Sequence, residues 1–144
     1  MAAKRRSLIK PKLNSPFNID FDWWKNNDRD WRVYLRSFLC EDHQKMFENL
    51  DSNEVIDWID PKTAEVKQVD GLQHILITHC AQDVEFVSQN MALVDSVFRI
   101  FLSNGNEPLT PEELGDILHR QPEMILRTFS GLRVYKGIRP VSNS

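Results

Sequence analysis

Residues 110–129 read Thr110-Pro-Glu-Glu-Leu-Gly-Asp-Ile-Leu-His-Arg-Gln-Pro-Glu-Met-Ile-Leu-Arg-Thr-Phe129, and this stretch decides the fold. It opens with a signal for the start of a helix. The Thr110 hydroxyl can accept a hydrogen bond from the Glu113 N–H, and the Glu113 carboxylate can accept one from the Thr110 N–H. Pro111 suits the first helical position, where its missing N–H removes no helical hydrogen bond. We therefore predict a helix of about eight residues over 111–118.

A second short helix follows after a break. Residues 119–121 interrupt the pattern, Pro122 opens the next helix, and Gly131 ends it. The apolar residues of both helices recur at helical spacing, and we expect six of them to face the core: Leu114, Ile117, Leu118, Ile125, Leu126 and Phe129. Because Gly115 stands where the two helices would cross, the segment has the helix-turn-helix pattern.

Residues 84–140 resemble the winged helix-turn-helix superfamily of nucleic-acid-binding domains. The likeness is carried by Glu113-Leu-Gly-Asp-Ile-Leu118 and Glu123-Met-Ile-Leu-Arg-Thr-Phe129, which follow the superfamily's pattern of helix–helix contacts. A long helix predicted over 83–103 has a wide apolar face and corresponds to the first helix of that superfamily. Asn104-Gly105 ends this helix.

The resemblance also implies a wing. Residues 107–109 stand where the superfamily has its first short strand, and residues 133–139 alternate like a wing strand. Because only residues 141–144 follow, we expect no second wing strand next to it in sequence. The 133–139 strand should therefore pair with residues 107–109 or with a hairpin over 54–69.

On this resemblance, the helix over 122–130 is a recognition helix that lies in the major groove of DNA. Arg127 suits a two-point contact with guanine or a contact with phosphate. The side chains expected to contact nucleic acid are Arg120, Met124, Arg127, Thr128, Arg133, Lys136 and Arg139. We predict a transcriptional regulator that binds double-stranded DNA. The alternative is a protein–protein interaction adaptor of the same fold within a larger assembly.

Charge is distributed unevenly along the chain. The first twelve residues contain five bases and no acid, and these bases are Lys4, Arg5, Arg6, Lys10 and Lys12. Residues 13–109 hold seventeen acids against eight bases, whereas residues 120–139 hold five bases against one acid. Basic ends are compatible with a polyanion that touches only the ends, or with a solvated tail and a chance cluster. We expect residues 1–16 to form a disordered basic arm.

Residues 17–82 are predicted to form a helical region with one hairpin. A helix is expected from Asp28 to about Cys40, because its apolar residues form one helical stripe: Trp31, Tyr34, Leu35, Phe38 and Leu39. A shorter helix should follow and bury three apolar residues, which are Met46, Phe47 and Leu50.

The hairpin is predicted from two runs rich in β-forming residues, at 54–60 and 65–70, which flank a turn that contains Pro61. The next helix should begin at Asp70 or Gly71. We expect an α+β, mostly helical fold, in which the N-terminal helices and the hairpin pack on the C-terminal helix-turn-helix unit. Residues 17–82 and 83–140 should share one compact domain.

Cys40 and His43 have the spacing of half a zinc site, and His79 and Cys80 could supply the other half, with His74 nearby. Adjacent residues on one helix point about 100° apart, which argues against a shared metal at His79 and Cys80. The sequence therefore favours buried free cysteines, and Cys40, His43, His79 and Cys80 are only weak candidates for metal ligands. We expect no metal and no other cofactor.

Several classes of protein are disfavoured by composition and motifs. The chain has no phosphate-binding glycine loop, no GxSxG elbow and no HExxH helix, so we do not expect an enzyme. No apolar run approaches the roughly 20 residues of a membrane span. Two cysteines and the absence of a signal-peptide pattern favour a cytoplasmic protein. The expected partner is DNA or a protein rather than a membrane, and the oligomeric state stays open.

Overall fold

The computed structural model describes residues 10–28, 30–46, 55–83, 85–88 and 91–141. Within these residues, seven α-helices and two antiparallel two-stranded sheets confirm an α+β, mostly helical fold. The elements in chain order are β1 (Phe17–Ile19), α1 (Phe21–Asn27), α2 (Trp31–Arg36), α3 (Glu41–Met46), β2 (Val55–Ile59), β3 (Val66–Asp70), α4 (Gly71–Thr78), α5 (Leu93–Ser103), α6 (Pro111–Leu118), α7 (Pro122–Phe129) and β4 (Ile138–Pro140). Among them, no helix combines the length and apolar character that crossing a membrane requires.

Some of the sequence predictions lie outside the described residues. They concern Lys4, Arg5 and Arg6 of the basic arm, and the burial of Met46 at the end of α3 and of Phe47 and Leu50 beyond it.

Aspartates set the ends of the first helices. The Asp20 carboxylate accepts a hydrogen bond from the Trp23 N–H at 3.2 Å and caps α1. Asp28 then ends α1: its N–H makes the last helical hydrogen bond, to the Trp24 carbonyl, and its backbone is extended, with φ −140° and ψ 111°. The predicted helix from Asp28 to Cys40 is therefore wrong, since α2 is only six residues long. The chain leaves α2 through hydrogen bonds between residues three apart, which tighten the backbone into turns.

The hairpin is confirmed, with β2 and β3 antiparallel and Ile59 opposite Val66. Asp70 ends β3 and caps α4, because its carboxylate accepts a hydrogen bond from the Gln73 N–H at 3.0 Å. Asp70 also forms an ion pair with Arg32 of α2, which ties the base of the hairpin to the N-terminal helices. The tip is open to solvent, since Ile59 and Val66 are each 64 % exposed.

The predicted helix over 83–103 is wrong in its first half, because α5 begins at Leu93. The Asp83 carboxylate accepts a hydrogen bond from the Glu85 N–H at 2.8 Å, and this bond forms a local turn. The turn directs Phe86 into the core, where 6 % of its surface is exposed. A hydrogen bond between a short polar side chain and the nearby backbone therefore determines the local structure here, although the apolar residues have helical spacing.

The two helices of the helix-turn-helix segment form where the sequence predicts them. The Thr110 N–H donates to Glu113 Oε1 at 3.0 Å, and the Glu113 N–H donates to Thr110 Oγ1 at 3.1 Å. Five of the six apolar residues expected to face the core are buried or half-buried: Leu114, Leu118, Ile125, Leu126 and Phe129. The prediction for Ile117 is wrong, since its side chain is 51 % exposed.

The predicted strand over 133–139 is wrong in its extent and in its partner. Residues 133–137 turn, and Lys136 and Gly137 both have left-handed backbone, with φ of 55° and 70°. Only β4 is extended, and it pairs antiparallel with β1 rather than with the hairpin or residues 107–109. β1 also bridges to Leu109. The N-terminal strand thus lies between Leu109 and β4 and supplies the partner that the C-terminal region lacks.

The core is built around α5. Its residues Val97, Phe98, Phe101 and Leu102 are fully buried. Three aromatic rings from the N-terminal region contact Phe98, and these belong to Trp24, Tyr34 and Phe38. The buried residues of α6 and α7 join the same hydrophobic cluster. The helix-turn-helix unit is therefore fixed on a core shared with the N-terminal elements.

Candidate nucleic-acid interface and cysteine–histidine cluster

A tight turn joins α6 to α7. His119 ends α6 in the left-handed conformation, with φ 56° and ψ 44°. The Arg120 N–H donates to the Gly115 carbonyl at 3.1 Å. The helices approach so closely that a Cβ on Gly115 would lie 2.7 Å from the Arg120 carbonyl oxygen. Gly115 therefore permits the crossing that the sequence predicts.

α7 has an apolar inner face and a polar outer face. Ile125 and Phe129 pack in the core, with exposures of 1 % and 5 %. Thr128 is half-buried, and its hydroxyl donates to the Met124 carbonyl at 2.8 Å. The exposed side chains of the helix are Glu123, Met124 and Arg127. Of the three α7 residues predicted to contact nucleic acid, Met124 and Arg127 are therefore accessible, and Thr128 is partly so.

The basic residues that flank α7 differ in their surroundings. Arg120 and Arg133 are exposed, and the Arg133 guanidinium lies 5.1 Å from the centre of the Tyr135 ring. The Lys136 ammonium lies 4.2 Å from the centre of the Tyr34 ring, in a cation–π contact that holds it against the core. Arg120 and Arg133 are thus available to a partner, whereas Lys136 already has an attachment.

Arg139 is not part of the exposed basic set. Its Nη1 donates to Asp20 Oδ2 at 3.1 Å, and the two side chains are 32 % and 15 % exposed. This ion pair joins β4 to the cap of α1. The predicted nucleic-acid contact of Arg139 therefore competes with a structural role, because its guanidinium is paired with a carboxylate within the fold.

Part of the predicted arm packs beside the helix-turn-helix unit. The Glu112 N–H at the start of α6 donates to the Leu13 carbonyl at 3.3 Å. At the other end of the segment, Pro11 and Phe129 both line a surface cavity of about 300 Å³. Lys10 and Lys12 are exposed along this stretch. The arm thus reaches the described structure next to α6 and the end of α7.

The structure brings Cys40, His43, His79 and Cys80 together, with their donor atoms all within 4.8 Å of one another. His79 ends α4 with φ −124° and ψ −65°, and Cys80 begins a separate 3₁₀ turn at 80–82. The 100° separation expected for neighbours on one helix therefore does not apply. Burial raises the pKa of the Cys80 thiol to about 11.

The sequence does not predict the exposure of two apolar side chains near α7. Leu132 is fully exposed just after the helix. Ile117 of α6 lines a surface cavity of about 280 Å³ together with Val87 and Leu93. The exposure of Leu132 could have been predicted from its position after Gly131, outside the helical stripe. Ile117 carried no such signal, because its spacing matches the buried face.

The winged helix-turn-helix resemblance stays a prediction from the sequence. No protein-family model matches the chain, and neither a curated protein nor a solved structure is found to be similar to it. The observed sheet, in which β1 lies between Leu109 and β4, also differs from a wing of two strands that are adjacent in sequence.

Proposed function

We propose that this protein binds double-stranded DNA through the exposed face of α7 and acts in the cytoplasm as a transcriptional regulator. The observation that carries the proposal is the α6–turn–α7 unit, in which Ile125 and Phe129 are buried and Arg127 is exposed. A helix held in this way can enter the major groove with its outer side chains against the base edges. The eight residues of α7 span about 12 Å, the length of three to four base pairs.

The three exposed side chains of α7 differ in chemistry, which suits a surface that reads sequence. Arg127 can donate two hydrogen bonds to guanine, and Glu123 can accept one from the amino group of cytosine. Met124 offers apolar contact to the methyl group of thymine. A surface made only for phosphate contact would need positive charge alone.

Phosphate contacts are assigned to the residues around α7. Arg120 precedes the helix, Arg133 follows it, and Lys10 and Lys12 lie on the segment packed beside it. The exposed side chains of α6 include three acids that repel phosphate: Glu112, Glu113 and Asp116. We therefore expect a small footprint, with about four phosphate contacts from the described residues.

The adaptor role is the second candidate, and the exposure of Leu132 and Ile117 favours it. Apolar side chains that are open to solvent beside a cavity suit a protein partner. This role needs no contact between Arg127 and a polyanion. The two functions therefore predict different effects of removing the Arg127 guanidinium on DNA affinity.

Fluorescence anisotropy with labelled duplexes of random and selected sequence tests the proposal. We expect Arg127→Ala to weaken binding to the selected duplex by roughly tenfold to a hundredfold and to relax preference at one base position. Lys62→Ala is the matched control, because Lys62 is an exposed cation in the turn of the hairpin. It should leave both affinity and preference unchanged.

The salt dependence of the same measurement separates the outcomes. Arg120→Ala should weaken binding to every duplex alike and reduce the slope of log affinity against log salt by about 0.9. The proposal is wrong if the wild-type protein binds no duplex at physiological salt, or if Arg127→Ala and Lys62→Ala have the same affinity. The first result would favour the adaptor role, and the second would exclude Arg127 of α7 as a contact to DNA.

A further inference from the structure

The cysteine–histidine cluster takes no part in the proposed DNA contacts. We propose that Cys40, His43, His79 and Cys80 bind one zinc ion, which links the start of α3 to the end of α4. The sequence alone favours free cysteines and no metal. The observed positions of the four side chains reverse that preference.

Two of the donor distances match those of a tetrahedral zinc site, and a third is slightly shorter. With Zn–S bonds of about 2.3 Å and Zn–N bonds of about 2.0–2.1 Å, the donor atoms of such a site lie roughly 3.3–3.8 Å apart. Cys80 Sγ is 3.4 Å from Cys40 Sγ and 3.5 Å from His43 Nδ1. Cys40 Sγ is 3.0 Å from His43 Nδ1. The ring centres of His43 and His79 are 4.5 Å apart, and the donor atoms of all four residues lie within 4.8 Å of one another, which places His79 beside the other three.

The backbone places the four donors as two pairs on separate elements. Cys40 immediately precedes α3, and His43 lies in its first turn, so both side chains are on the same side of the chain. His79 and Cys80 lie where α4 gives way to the 3₁₀ turn. Two pairs from two elements are the usual construction of a closed zinc site.

α3 is short, and its described side chains, from Glu41 to Lys45, are not anchored in the core. It has six residues, which is too short for a helix that is stable alone in water. Among its described side chains, from Glu41 to Lys45, none is buried. Its hydrogen bonds include that of the Gln44 side chain to the Leu39 carbonyl at 3.0 Å, and His43 lies beside the two thiols and the His79 ring. A zinc ion would make the contact at His43 a strong link.

The donor set also selects the metal and its role. Two thiolates and two imidazoles favour zinc over magnesium or calcium, which prefer oxygen. Four protein donors fill the coordination sphere and leave no open position for a substrate, so the site is structural. Cys80 is buried and His79 is exposed, so the ion can enter from solvent on the His79 side.

A disulfide is the competing outcome. The two Sγ atoms are 3.4 Å apart and are not bonded, since an S–S bond measures about 2.05 Å. A disulfide would use both thiols and leave His43 and His79 without a role. The zinc site uses all four side chains.

The test is the metal content of the full chain, produced without a histidine tag and purified under reducing conditions. We expect one zinc ion per chain by elemental mass spectrometry. Replacement by Co²⁺ should give the strong visible absorption of a tetrahedral thiolate site. Cys40→Ser and His43→Gln should each weaken zinc binding by more than the roughly 10- to 100-fold that loss of an outer partner costs. His74→Gln is the control and should keep its zinc, because His74 lies on α4 beside Trp58, outside the cluster.

Two results would overturn the proposal. One is reduced wild-type protein that holds no zinc and gives no Co²⁺ spectrum. Wild-type protein whose cysteines form a disulfide even when zinc is present counts as the same result. The other is zinc that remains bound when Cys40 and Cys80 are both replaced by serine. The cobalt titration of the wild-type chain needs no substitution, so a variant that fails to fold does not block the test. DNA binding is not a readout, so failure here is separate from failure of the proposed function.

Discussion

Replacing Gly115 with alanine should destabilise the protein, although alanine is the better helix former. A Cβ at this position would lie 2.7 Å from the Arg120 carbonyl oxygen and 3.0 Å from Pro122 Cγ. Neither neighbour can rotate away, because one is backbone and the other is a ring at the start of α7. The overpacking costs about 1–3 kcal/mol, and the helix preference of alanine offsets about 0.5–1 kcal/mol of it. The difference is a fall in the free energy of unfolding of about 0–2.5 kcal/mol, centred near 1 kcal/mol.

Urea denaturation followed by circular dichroism measures this change, and Gly131→Ala is its control. The nearest atom to a Cβ on Gly131 is the Arg127 carbonyl oxygen at 3.9 Å, an ordinary contact. That variant should be neutral or gain about 0.4–1 kcal/mol, because alanine restricts the unfolded chain. If Gly115→Ala is as stable as Gly131→Ala, α6 and the turn do not meet as described, and the reasoning about the helix crossing is refuted.

Three further predictions concern single residues. Thr110→Ala should lower the free energy of unfolding by about 1 kcal/mol through loss of the α6 cap, and an unchanged denaturation midpoint would contradict the role of the cap. Asn106→Ala should cost about 1–3 kcal/mol in the same assay, because the Asn106 side chain pairs with both the N–H and the carbonyl of Ile19 at 2.8 Å. Burial, reinforced by Asp95, raises the pKa of Tyr34 from 10.0 to about 12, so the folded state keeps the phenol neutral. Stability should therefore fall as the pH rises from 10 to 12, and in thermal melts this loss should be smaller for Tyr34→Phe. Equal losses in the two proteins would argue against a raised pKa of Tyr34.

What the sequence predicts well is local. The capping box of Thr110 and Glu113, the start of α4 at Asp70 and the hairpin pairing all depend on residues a few positions apart. Each of these sequence patterns corresponds to a specific hydrogen bond or turn, and the folded chain contains it. Spacing alone is weaker, because the helix expected over 83–103 yields to the turn that Asp83 forms with Glu85.

What the sequence cannot predict is which distant segments meet. β1 pairs with β4 across about 120 residues, and no pattern in either three-residue strand specifies the other. The cluster at Cys40 and Cys80 depends on where α3 and α4 end, and a predicted helix boundary is uncertain by a few residues. A shift of that size decides whether His79 and Cys80 diverge on one helix or converge at a break.

The most direct test of the proposed function is an NMR titration of the ¹⁵N-labelled full chain with a random DNA duplex. Binding without sequence preference typically has a dissociation constant of about 10⁻⁴–10⁻⁶ M at physiological salt, which suits NMR concentrations. We predict shifts of the amide signals concentrated in α7, in the turn at 119–121 and in residues 10–13, with the hairpin at 55–70 unchanged. Shifts centred on the hairpin, or no shifts at all, would contradict DNA binding through α7.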